Sequence, residues 1–181
     1  MSGFPWLKGE KKILGFAALT GKVLCRAHNS ALSPIDDIGA RFFSAIQQCG
    51  TTTEGLNLSF LFSGHDVERW LLRTVAALGV SKNFSIDGAQ PDDRLVSRLK
   101  LTELLEDPAA WKRPLGLYYM DGVNYRFWQR RNIEMMPLLV RGSNDIVGMS
   151  IDIQGMKIGV LAAEHDIGGT GFDRAVYRPG G

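Results

Sequence analysis

The chain has 181 residues, a formal net charge of +2, 45 % hydrophobic and 22 % charged residues, which is the balance of an ordinary globular protein. No apolar run approaches the ~20 residues of a membrane span, and Met1–Lys12 lacks the apolar core of a signal peptide. Two cysteines, Cys25 and Cys49, cannot form a disulfide framework, so a reducing, cytoplasmic setting is expected.

Taken in chain order, Ile13–Leu19 and Lys22–Arg26 are short apolar runs around Thr20-Gly21, which predicts a hairpin. Ser33 reads as an N-cap, with Pro34 at the first helical position. Asp36 and Asp37 then fall in the first turn, where the helix dipole favours anions. Ile35, Ile38, Phe42, Phe43 and Ile46 make one stripe on that helix, and Gly50 stops it. Leu56, Leu58, Phe60 and Phe62 alternate as a strand would. The next helix puts Val67, Trp70, Leu71, Thr74, Val75 and Leu78 on one face and ends at Gly79. Glu68, Arg69 and Arg73 fall largely on its solvated side. Asp92–Leu105 reads as one or two further helices, with Asp92 and Thr102 as caps.

From Leu115 the period changes to alternation. Leu115–Met120 and Tyr125–Arg131 flank Asp121-Gly122, a dipeptide that favours the positive φ angles of a tight hairpin. Ile133–Arg141, Ile146–Gln154 and Met156–Ala163 continue as strands, with turns at Gly142–Asp145 and Gly155. Met149, Ile151 and Ile153 would face a core while Ser150, Asp152 and Gln154 face water. The predicted fold class is α+β: an N-terminal β-hairpin plus amphipathic helices packed on a C-terminal antiparallel β-meander. The helical part covers 1–110 and the sheet part 111–181, within one compact domain.

Soft or imidazole metal ligands are limited to Cys25, Cys49, His28, His65 and His165. Cys25 and His28 have the spacing of one half of a zinc knuckle, but residues 1–24 hold no Cys or His for the other half. A composite site adding Cys49 and either His65 or His165 would have to join the two ends of a helix about 24 Å long. The plainer alternatives are cysteines as small apolar residues, and a His28-Asn29 pair that bonds backbone groups at the helix approach. There is no nucleophile elbow, P-loop or zinc-protease helix. Glu164, His165 and Asp166 are adjacent on an extended chain, so their side chains diverge. Gly168, Gly169 and Gly171 read as a loop, since no Lys-Ser/Thr follows to complete a phosphate cradle.

The most suggestive surface is Tyr125–Arg131, sequence YRFWQRR. On a strand, Arg126, Trp128 and Arg130 project to one side, and Arg131 follows. Three readings stand side by side. The row can neutralise phosphates and stack a base of single-stranded nucleic acid. It can anchor a protein partner, since Trp and Arg dominate interface hot spots. Or Arg can stack on Trp within the chain, capped by an acid such as Glu134.

The run KVLCRAHNSALSPIDD, Lys22–Asp37, resembles a segment of bacterial proteins related to HNH endonucleases, where it closes a zinc knuckle and leads into an amphipathic helix. GHDVERWLLRTVAALG and GMSIDIQGMKIGV are similar in pattern to the remainder of such chains. The resemblance implies zinc at Cys25 and His28, an association with nucleic acid, and a phage or mobile-element setting. This sequence departs from the pattern in two ways: the upstream ligand pair is missing, and neither Ile13–Leu19 nor the Ser33–Cys49 helix carries a histidine to act as general base or metal ligand. If the chain is a shortened form, the missing ligands would lie upstream of Ser2.

The expectation is a non-catalytic binding module, with no membrane association and no cofactor unless zinc. Its partner would be nucleic acid or a protein that handles it, held by Arg126, Trp128, Arg130 and Arg131. One alternative is a metal-dependent HNH-like nuclease using Cys25 and His28. Another is a structural or oligomerisation domain in which the apolar run Met135, Met136 and Leu138–Val140 pairs with a second copy.

Overall fold

The computed structural model describes residues 26–51, 58–80, 100–120, 133–139, 146–164 and 175–177. They form α1 (Arg26–Thr51), α2 (Gly64–Val80), the short α3 (Leu101–Glu106) and a 3-10 turn (Pro108–Ala110). The strands follow: β1 (Gly116–Tyr119), β2 (Ile133–Leu139), β3 (Ile146–Ile153), β4 (Met156–Leu161) and β5 (Val176–Tyr177). Helices come first and an antiparallel sheet second, so the fold is α+β. The expected N-terminal hairpin lies outside the described residues, except that Arg26 already belongs to α1.

α1 begins earlier than its sequence signals suggest. Ser33 and Pro34 do not start the helix; Pro34 lies inside it. An interior proline removes one helical hydrogen bond and crowds the preceding turn, so something else must hold the first two turns in place. Arg73 of α2 does this. Its guanidinium pairs with Asp36 and donates to Asn29 Oδ1 at 3.3 Å, fastening α1 on both sides of Pro34. Further along, Gly39 lets the Trp70 ring lie directly against the α1 backbone. Phe43 meets that ring edge-on at 5.4 Å, and Phe42 packs edge-on against Phe62 at 5.3 Å. These contacts make α1 and α2 an antiparallel pair.

α2 is capped by Ser63, whose Oγ accepts from the Asp66 N–H at 3.3 Å. Val67, Trp70, Leu71 and Val75 are buried as their spacing predicts, but so are Leu72 and Glu68. The helix is therefore enclosed on two sides, with α1 against one and the sheet strands against the other. Glu68 was expected on the solvated face; it is 0 % exposed.

Other elements also differ from expectation. Leu58–Ser63 is not a strand, and Leu58, Phe60 and Leu61 are exposed, Leu61 at 95 %. Of the described members of that alternation, Phe62 alone is partly buried, against Phe42. α3 starts after Lys100, so Thr102 lies within it and is not its cap, and residues 92–99 are outside the described set.

The sheet order is β2-β3-β4-β1-β5, with every neighbouring pair antiparallel. β2, β3 and β4 form the predicted meander, and β1 lies beside β4, which makes the four strands a Greek key. β3 and β4 join through Gln154 and Gly155, with φ of 53° and 95°, the two positive angles of a tight hairpin turn. The Gly155 N–H donates to Asp152 Oδ1 at 2.8 Å and steadies that turn.

A hairpin pairing Leu115–Met120 with Tyr125–Arg131 is ruled out along Tyr118 and Tyr119. There β1 has β4 on one side and β5 on the other. β1 ends opposite Ile158 and β2 begins opposite Ile153, so both lie at the Gln154-Gly155 end of the sheet. The chain from Met120 to Ile133 thus connects two strands three positions apart, about 14 Å at the usual strand spacing.

β3 is not half wet. Met149, Ile151 and Ile153 are buried as expected, but Ser150 and Gln154 are buried too, and Asp152 is half-buried. Ser150 sits in the middle of the sheet between Met136 and Gly159. Gln154 is covered by the last turns of α1, where its side chain lies against Gly50.

Candidate functional site

Among the described residues, those singled out by chemistry do not come together. Cys25 lies outside the described residues, as do His165 and the row Arg126, Trp128, Arg130 and Arg131. His28 is in the first turns of α1, with its side chain outside the description. Cys49 sits near the opposite end of the same helix, about 32 Å from His28 along the axis. A composite site holding both is therefore excluded by the length of α1. His65 opens α2. Because the two helices are antiparallel and Asn29 meets Arg73, His65 is about 12 Å up α2 from the His28 end. Among the described residues no three His, Cys, Asp or Glu side chains group closely enough to hold a metal ion.

What the structure does organise from the Lys22–Asp37 motif is the Arg73 clamp. Asn29 and Asp36 both point their oxygens at one guanidinium, and the Arg73 side chain is 16 % exposed. Burial lowers the Arg73 pKa from its ordinary value, through the desolvation of its guanidinium. Arg69, read from the sequence as its companion on a solvated face, instead reaches back to Asp66 at 3.9 Å.

The best-formed polar contact is at the start of α2. Glu68 Oε1 accepts the Leu117 N–H at 2.8 Å, and Oε2 lies 3.5 Å from His65 Nδ1. The His65 ring stands edge-on to Trp111 at 6.3 Å, and Trp111 donates its indole N–H to Leu104 O at 2.6 Å. Among the described residues β5 pairs with Tyr118 and Tyr119, and at Leu117 the outward N–H is taken by the carboxylate. Gly116, at φ +137°, is required here: a Cβ would come within 2.8 Å of Glu68 Oε1 and 2.9 Å of the Tyr177 ring. Chemically, the arrangement orients one imidazole and joins α2 to the sheet.

Two surface features complete the inventory. A cleft of about 760 Å³ is lined by Lys100, Lys112 and Arg113 and by Glu103, Asp107 and Glu164. Its charges are largely self-satisfying: Lys100 pairs with Glu164 at 3.4 Å, Asp107 caps Ala109 at 2.8 Å, and Arg113 lies over the Tyr177 ring at 5.5 Å. Tyr118, beneath, has its pKa raised by burial first and by Tyr177 second, with Arg113 opposing. It donates to Pro114 O at 2.7 Å. On the other side, a groove of about 520 Å³ runs between Ala40, Ser44 and Ala45 of α1 and the exposed Phe60 and Leu61.

Glu68 and Arg73 are the polar residues of α2 that lie deeper than the sequence predicts. The available signal was the width of the apolar pattern on α2. Leu71-Leu72 and Val75–Leu78 extend beyond a single stripe, which marks a helix covered on two sides. No helix of the described residues is long and apolar enough to cross a membrane. Comparison with protein-family models, with curated proteins and with solved structures finds no match for this chain.

Proposed function

We propose that this chain is a non-catalytic binding module for single-stranded nucleic acid, with Arg126, Trp128, Arg130 and Arg131 as its contact residues. The observation that carries this reading is the Arg-x-Trp-x-Arg-Arg alternation, which offers phosphate-neutralising cations around one stacking ring. Two features of the scaffold support it. The strands that flank this segment, β1 and β2, end and begin at the same end of the sheet. Asn29 and Asp36, polar members of the HNH-like motif, are engaged by Arg73 in a structural clamp.

The test is fluorescence anisotropy with a labelled single-stranded oligonucleotide, comparing wild type with Trp128→Ala/Arg130→Ala. Loss of one stacked base alone is worth about 1–3 kcal/mol, so the double variant should bind at least tenfold more weakly while keeping its far-UV circular dichroism. Equal binding by a folded double variant overturns the proposal. Divalent-metal-dependent cleavage that His28→Ala removes would replace it with the nuclease reading.

A further inference from the structure

We draw no further inference here: the strongest candidate, the exposed apolar run Leu58, Phe60 and Leu61 beside its groove with Ala40, Ser44 and Ala45 of α1, carries nothing because no described residue shows what covers it.

Discussion

Glu68 brings a carboxylate into the interior, where it accepts a backbone N–H from β1. Among the described residues β5 pairs with Tyr118 and Tyr119, and the Leu117 N–H donates to Glu68. Glu68→Ala should therefore cost more than a cavity, since it leaves a buried donor unsatisfied, worth about 1–3 kcal/mol on its own. Glu68→Gln keeps an acceptor and should lose clearly less; urea denaturation of the two variants checks the order. The glycines give a matched pair. Gly39→Ala drives a methyl into the Trp70 ring, whereas the same change at Gly64 meets nothing within 4 Å. Thermal melts should show Gly39→Ala destabilised despite the better helix propensity of alanine, and Gly64→Ala unchanged or raised by up to about 1 kcal/mol. None of this was legible from residue type. Glu68 carries the composition of a surface helix position, and only the pairing of a distant strand decides where its carboxylate goes.

At the scale of elements, local signals and tertiary fastening compete over α1. Ser33-Pro34 is a sound helix start by propensity, and the stripe from Ile35 to Ile46 was correctly read. The additional turns from Arg26 exist because Arg73 grips Asn29 and Asp36 across the proline. Arg73→Ala should lower stability by about 1–2 kcal/mol, a value moderated by the half-exposed Asp36. The loss should be concentrated before Pro34, where amide exchange at residues 26–33 should accelerate more than in the rest of α1. Adding Pro34→Ala should restore part of that protection, because an interior proline costs a helix about 3 kcal/mol. Uniform acceleration along α1 would show that Arg73 does not hold this segment. In the described part of the Leu56–Phe62 alternation, 58–62, the converse holds. A period of two predicts a strand only if a neighbour supplies the ladder, and Leu58–Ser63 is not part of one.

Across the whole molecule, the change from helical to alternating periodicity was enough to read the α+β class, the β2-β3-β4 meander and the turn at Gly155. The placement of β1 was not readable. Asp121-Gly122 is a strong hairpin signal locally, yet β1 pairs with β4 and β5, partners some forty to sixty residues later in the chain. Long-range pairing of this kind leaves no mark in a short window of sequence. In that topology β1 and β2, which flank residues 121–132, end and begin at the same end of the sheet. In the proposed reading Arg126, Arg130 and Arg131 meet phosphates while Trp128 stacks on a base. The most direct test of that reading is the affinity of wild-type protein for a single-stranded oligonucleotide over a series of salt concentrations. Three phosphate contacts predict a slope of log K against log salt of about −2, and Trp128→Ala/Arg130→Ala should bind more weakly with a slope shallower by about 0.7. A flat salt dependence, with the folded double variant matching wild type, would contradict the account.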